Sequence, residues 1–406
     1  VIDLFRKLVY DDKVKLLETS GDLYIGYYTL GGTADYFYDA LVPSAGYLKV
    51  WDLSFFQRGM LLRVPDRHQP GALAPFFSQP KTFEVFSETL KWNRIMHLDN
   101  VGDVNKACLE GKVTDLIQIS EALQEKKISQ LADRIAADPD KRVVLIAGPS
   151  SSGKTTFAKR LAIQMWASGK KPIAIELDNY FVDRELTPRD EDGEYDFEHI
   201  DAMNTDLLNS QITALLAGEE VELPKYDFQK GKSVASGRRL RLQPDNMLIL
   251  EGIHALNPEL TKPIPDGSKF RIYASALTTI MLDHHNYIPT TDNRLLRRIV
   301  RDHKYRGYSA EDTIRRWPSV REGERRWIFP FQEEADEMIN TALLFEFAAL
   351  RNQALPLLER VPEHCDEYSE AYRLRKFLEY LIPISTTGLP PTSLLREFLG
   401  GSTFKY

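Results

Sequence analysis

The sequence predicts an α/β protein in which a parallel sheet is flanked by helices, with a small β-rich unit and a helical linker placed ahead of it. Three observations predict it. Val143-Val144-Leu145-Ile146-Ala147 is an apolar run of β type that leads through a glycine-bounded loop into residues 154–163 at helical spacing. From residue 141 onward strand-like and helix-like stretches alternate, the pattern of a parallel sheet covered on both faces. Residues 1–75 instead carry short aromatic-rich runs, such as Tyr24-Ile25-Gly26-Tyr27-Tyr28, set between glycines and prolines in a hairpin texture.

The loop is the most specific feature. Gly148-Pro149-Ser150-Ser151-Ser152-Gly153-Lys154-Thr155-Thr156 has the spacing of the phosphate-binding loop of the P-loop NTPase fold. Backbone N–H groups along Ser150, Ser151, Ser152, Gly153 and Thr156 are expected to surround the phosphates of ATP, while Lys154 reaches the β and γ oxygens and Thr155 holds Mg²⁺. Gly148 and Gly153 let the backbone approach an anion without a Cβ clash, and the helix that starts near Lys154 adds its positive end.

A chain of 406 residues implies two or three domains. The expected division is 1–75 for the β-rich unit, 76–140 for the helical linker, 141–345 for the phosphate-loop domain and 346–406 for a helical extension. With 43% hydrophobic and 27% charged residues the composition is that of a soluble globular protein, and a net charge of −7 argues against a nucleic-acid-coating role. Cys108 and Cys365 give neither a disulfide framework nor a metal cluster, which fits a reducing cytoplasm. No apolar stretch reaches membrane-spanning length and no signal peptide opens the chain. The first residue is Val1 rather than Met, as expected of a piece trimmed from something longer.

Taken in order, residues 80–140 show amphipathic helical runs expected to join the β-rich unit to the sheet domain and to pack on its edge. The next strand, residues 171–177, ends at Asp178-Asn179-Tyr180-Phe181. A carboxylate there can accept the proton of an attacking hydroxyl, and on its own Asp178 serves equally well as a turn or helix cap. Asn246-Met247-Leu248-Ile249-Leu250 runs into Glu251, a strand-end acid suited to Mg²⁺ beside the loop. In residues 294–306 Arg294, Arg297, Arg298 and Arg301 recur at three- and four-residue spacing, so that several converge on one anionic target, with Arg306 beyond them. The expected role is a lid over nucleotide phosphates, against a solvated helix face or a nucleic-acid surface. His284-His285 reads as a loop pair, and His199 and His254 as cleft contacts or core histidines. The helical residues after 341 read as core packing or a subunit contact in a homo-oligomer, without chemistry.

These motifs together resemble the uridine kinase and phosphoribulokinase group of P-loop kinases, and the whole chain resembles bacterial uridine kinase-related proteins that carry a synthetase-like N-terminal region. Asp178-Asn179-Tyr180-Phe181 is similar to the family segment whose Asp is the base. Tyr195-Asp196-Phe197-Glu198-His199 and Pro224-Lys225-Tyr226-Asp227-Phe228 are similar to the segments that touch the nucleoside, and Leu250-Glu251-Gly252-Ile253 and Arg294 to Arg306 match the remaining motifs. The resemblance implies Asp178, Lys154, Arg297, Arg301 and Arg306 as catalytic residues. It implies Tyr180, Phe197, Glu198, His199, Tyr226, Phe228 and Arg294 around the substrate, and Thr155 and Glu251 on the metal. The implied reaction transfers phosphate from ATP to the 5′-hydroxyl of uridine or cytidine. A kinase for a sugar or polyol is the alternative, and a nucleotide-switched RNA-associated regulator is the rival outside enzymes. Three departures bear on the acceptor: Gly231 stands where uridine kinases have a base-contacting His, Glu198 replaces an Asp, and Trp317 occupies a stretch lacking the expected Gln. Residues 31–46 also resemble the end of the second additional domain of threonyl-tRNA synthetases, with Phe37 and Leu41 in place of its Cys and His metal ligands, so the editing site does not carry over.

Overall fold

A computed structural model describes residues 1–21, 24–38, 41–66, 69–190 and 193–406. Asp39 and Ala40, inside the synthetase-like stretch, lie outside the described residues. The chain opens with helices rather than hairpins: α1 (Ile2–Lys7) and α2 (Asp11–Ser20). Asp11 and Asp12 favour the positive end of α2, Gly21 at φ +76° stops it, and Val14, Leu16 and Leu17 supply its buried face. The hairpin texture appears after them, as antiparallel pairs of β1 (Tyr28–Leu30) with β2 (Thr33–Asp35) and β3 (Asp52–Phe56) with β4 (Gly59–Arg63). Three helices follow: α3 (Pro80–Ile95), α4 (Val101–Leu109), begun by a reciprocal Asn100–Asp103 capping box, and α5 (Val113–Ala137).

The central strands are β5 (Val143–Ala147), β6 (Lys171–Glu176), β9 (Asn246–Glu251), β10 (Lys269–Ser275) and β11 (Glu337–Asn340), separated by α6 (Lys154–Ala167), α7 (Thr205–Leu216) and the antiparallel arm β7 (Glu220–Asp227) with β8 (Lys232–Arg241). The central strands run parallel in the order β11-β10-β5-β9-β6. Along β5 successive side chains go to opposite faces, Val143, Leu145 and Ala147 to one cluster and Val144 and Ile146 to the other. A strand apolar on both faces needs two covers. Ile128, Leu131 and Ile135 of α5 with Phe157 and Leu161 of α6 form one; Leu208, Ile212 and Leu215 of α7 belong to the other. The linker helices therefore do more than line the edge: α3 packs along the edge strand β11, while α5 covers one face of the sheet.

Beyond β10 come α8 (Thr290–Arg306), α9 (Ala310–Trp327), α10 (Glu346–Leu358), α11 (Tyr368–Glu379) and the single turn α12 (Arg396–Leu399). Leu295, Leu296, Ile299 and Val300 of α8 share a core with Leu350 of α10, Phe377 of α11 and Phe398 of α12, and Phe5, Leu16 and Leu17 join it from the first helices. Lys13 of α2 is fully buried there, its ammonium 2.8 Å from Asp283 and 2.7 Å from Asp35, with the Tyr36 hydroxyl donating to Asp283 at 2.7 Å.

Candidate active site

β5 is flanked by β9 on one side and β10 on the other, so the chain leaves it where the sheet order reverses, the place where open α/β sheets bind ligands. Gly148 has no room for a side chain, since a Cβ would collide with the Ala274 carbonyl. Ser151 at φ +60° and Gly153 at φ +80° then turn the loop through left-handed conformations into α6. The first amides of a helix have no carbonyl behind them. Among the described residues the amides of Gly153, Lys154 and Thr155 find no protein acceptor, and the buried hydroxyls of Ser151 and Ser152 have no partner. This set of orphaned donors, with the Lys154 ammonium, fits a polyphosphate. The Ser150 amide is engaged, donating to Glu324 Oε1 at 3.1 Å, and the Ser152 carbonyl accepts the Thr341 hydroxyl. Thr156 is fully buried and bonded to Glu397.

Two acids meet at the neighbouring strand ends. Gly252 permits the approach, since a Cβ there would lie 2.6 Å from that of Leu177. Glu251 accepts the Thr155 hydroxyl at 3.2 Å, and the Lys154 Nζ lies 3.7 Å from its other oxygen. Burial pushes the Glu251 carboxyl up to about 7; Lys154 pulls it back and the Asp178 charge adds to the rise. Asp178 is half-buried in the turn after β6, and its charge acts on both Glu251 and Arg306. Thr155 and Glu251 present oxygen donors, the type a hard divalent cation takes.

α8 is a packed wall rather than a free lid, and it divides its arginines. Arg294 is 1% exposed and forms a two-pronged ion pair with Glu324 of α9, with its guanidinium 5.2 Å from the Trp317 ring centre. Arg297 is fully buried, paired with Glu346 at 2.7 Å and bonded to the Thr341 carbonyl at 3.0 Å. Both cations are committed to carboxylates, because an arginine on the apolar side of α8 cannot be buried unpaired. Both also reach the loop, Arg294 Nη1 donating to the Ser150 carbonyl at 3.1 Å and Arg297 Nη1 to the Ser151 carbonyl at 3.4 Å. Arg298, Arg301 and Arg306 instead surround one carboxylate, Asp302, at 3.2, 2.8 and 3.5 Å. Arg298 reaches the loop as well, donating to Ser150 Oγ at 2.9 Å. Three guanidiniums on one acid leave excess positive charge, and the neighbouring Arg301 lowers Arg306 to about 10.

An aromatic group lies beside the same turn, where Asn179 Oδ1 accepts the Tyr226 amide at 3.3 Å. Phe181 packs edge-on against Phe197 and tilted against Tyr226, with centroids 6.2 and 5.6 Å apart, and Tyr226 meets Phe228 at 5.0 Å. The arm β7–β8 delivers the last two residues; Asp227 accepts the Gln229 and Lys230 amides, and Gly231 at φ +67° completes the turn. The buried Tyr226 hydroxyl lies beside Arg184, which packs over Gly231 with its Nη2 donating to the Phe228 carbonyl at 2.7 Å. Glu198, whose Cβ packs against Gly323 of α9, has its carboxyl pushed by burial up to about 7, with Arg298 opposing. Tyr180 and His199 do not join this group. Tyr180 is 1% exposed and donates to Gln211 at 2.8 Å, while His199 caps a turn through the Asp201 amide and packs against Trp327. Tyr180 follows Asp178 by two residues in a tight turn, which sends its side chain into the core.

Sequence reasoning passed over Arg184, Glu324, Thr341 and Glu346, none of which lies in a motif. Arg298 carried a signal, its four-residue spacing from Arg294.

A phosphate loop at a strand end, an acid on the adjacent strand and an over-charged arginine cluster across from them define a P-loop kinase. Residues 143–343 match the family model described as the phosphoribulokinase / uridine kinase family. A uridine kinase of Halobacterium salinarum is 33% identical over 196 residues, which is 48% of this chain and 77% of that protein. One from Anoxybacillus flavithermus is 31% identical over 198 residues, 48% of this chain and 84% of that protein. A solved structure described as a possible uridine kinase from Bacillus stearothermophilus overlays with a TM-score of 0.33 at 20% identity, covering 49% of this chain and 89% of that one. The chain belongs to the phosphoribulokinase / uridine kinase family and is an ATP-dependent kinase.

Proposed function

We propose that this kinase phosphorylates the 5′-hydroxyl of a pyrimidine nucleoside, uridine or cytidine. The observation that carries the reading is the convergence of the loop's orphaned donors, Asp178 and the arginines around Asp302 on one end of the sheet. The aromatic group at Phe181, Phe197, Tyr226 and Phe228 offers ring faces to a base, and the relatives above are uridine kinases.

Mg·ATP, when bound, supplies the phosphoryl group and shields the charge of the leaving diphosphate. Lys154 and the amides of Gly153, Lys154 and Thr155 bind the phosphates, and Thr155 and Glu251 hold the metal. Asp178 orients the acceptor hydroxyl and takes its proton. Arg298, Arg301 and Arg306 neutralise the transferring group, needing no reorganisation because Asp302 already fixes them. We place the enzyme in the cytoplasm, which its unpaired Cys108 and Cys365 support, and take 141–345 as the kinase domain, with 1–75, 76–140 and 346–406 built around it. Among the described residues no helix is long and apolar enough to cross a membrane.

One observation favours a second acceptor. Arg184, a donor-only fork, occupies the space beside Gly231 and forms no salt bridge among the described residues, which suits a polyol or sugar derivative carrying carbonyl or acidic oxygens. ADP release with Mg·ATP against a panel of nucleosides, sugars, polyols and hydroxy acids separates the two. Turnover with uridine or cytidine is expected; turnover with another class alone would keep the chemistry and replace the acceptor.

A further inference from the structure

We propose that the segment from Leu394 to Tyr406 is a built-in occupant of the nucleotide site, and that nucleotide binding displaces its Glu397 carboxylate from the start of α6. The inference rests on the reading of this loop as the nucleotide-binding element.

Glu397 Oε2 accepts from both the Thr156 amide, at 3.2 Å, and the Thr156 hydroxyl, at 2.6 Å. The Tyr406 hydroxyl lies 2.9 Å from the same Thr156 oxygen. A first-turn amide after a glycine-rich loop is one of the donors that bind an anion at a helix start, and the loop's amides are those that cradle the α and β phosphates. A carboxylate is the protein's own form of that ligand, a negative group that only accepts. Amide and hydroxyl each carry one proton to donate, so Glu397 and a phosphate oxygen cannot both hold them.

The neighbours of Glu397 fill the rest of the space around the loop. Leu394 lies over Gly153, where a Cβ would come within 2.9 Å of its Cγ. Phe398 is fully buried, with the Arg297 guanidinium 5.1 Å from its ring centre, an apolar plane stacked on a cation next to the loop. Polar contacts hold the turn as well: Lys304 donates to the Leu399 carbonyl at 2.7 Å, the Arg396 guanidinium to the Thr386 and Leu389 carbonyls at 2.8 and 2.7 Å, and Ser402 Oγ meets the Tyr406 hydroxyl at 3.2 Å, while Gly400 and Gly401 at φ +86° and +75° turn the chain behind α12. The helix start is thus closed by a packed local segment, of which the Glu397 carboxylate is the group that competes with phosphate.

The test is ADP binding by calorimetry to the full chain and to Glu397→Gln and Tyr406→Phe, with hydrogen exchange of residues 394–406 followed in the unaltered protein. Gln keeps the shape of the side chain and removes the charge that competes with phosphate. Glu397→Gln is expected to bind ADP more tightly, on the order of tenfold, and ADP is expected to speed exchange in 394–406. Equal or weaker ADP binding by Glu397→Gln, or slower exchange in that segment, would make it a fixed wall of the pocket and overturn the proposal. A full chain that binds no ADP at all would overturn it together with the reading of the loop.

Discussion

His254 lies three residues beyond Glu251 with its ring fully buried against the backbone of Glu198 and Trp327, and burial lowers its pKa to about 3. An unfolded histidine titrates near 6.5, so below that pH the unfolded chain takes a proton that the folded chain refuses. Its contribution to stability is therefore complete above pH 6.5 and is lost as pH falls toward 3, amounting to about 2 kcal/mol between pH 8 and 5. Glu198 and Glu251 act with the opposite sign, because their raised values favour the folded state below pH 4.5 and that advantage fades as pH rises through about 7. The measurement is thus a difference: urea unfolding of the wild type and of His254→Gln at each pH. The gap between them is expected to narrow by roughly 2 kcal/mol on going from pH 8 to 5; parallel curves would show that His254 titrates freely. Single residues were legible in the sequence where a motif fixed them, as with Lys154, Thr155 and Glu251. His254 was left between cleft and core, since burial is a property of neighbours that a sequence position does not carry.

At the scale of elements, α8 shows how one basic helix can serve two ends. Its inward arginines, Arg294 and Arg297, pair with Glu324 and Glu346, while Arg298, Arg301 and Arg306 surround Asp302. Spacing made the helix and its convergence visible, but the carboxylates that claim Arg294 and Arg297 come from α9 and α10, on stretches with no local pattern pointing back. Removing one partner of such a buried pair strands a charge. Glu324→Gln is expected to destabilise the protein by about 3 kcal/mol, read as a lowered thermal midpoint, while the double replacement Arg294→Met with Glu324→Leu recovers more than half of the loss. If Glu324→Gln melts with the wild type, the pair is not the structural tie inferred here. The arm β7–β8 was legible only as a motif, Tyr226-Asp227-Phe228. Its hairpin form follows from Asp227 and Gly231, turn residues in the middle of two alternating runs.

At the scale of the whole molecule, one core joins the first helices, the α8–α11 wall and the turn before Tyr406, so the parts around the sheet are fastened to it by pairs far apart in sequence. Lys13 meets Asp283 across 270 residues, and Thr156 meets Glu397 across 241. The strand, loop and helix of the phosphate site span little more than twenty residues and read directly from the sequence, as did the parallel sheet. The opening helices read as hairpins because aromatic and glycine content further along dominated the N-terminal stretch. Long-range pairs leave no spacing to read. The central claim concerns one point of this assembly, that Asp178 takes the proton of an acceptor hydroxyl while the loop holds the nucleotide. It is tested most directly by single-turnover transfer of the γ-phosphoryl group from Mg·ATP to uridine, with ADP affinity measured alongside, for the wild type and Asp178→Asn. The expected result is uridine monophosphate from the wild type and a rate lower by about 10³ in the variant, with ADP affinity within about twofold. Undiminished transfer by Asp178→Asn would contradict it.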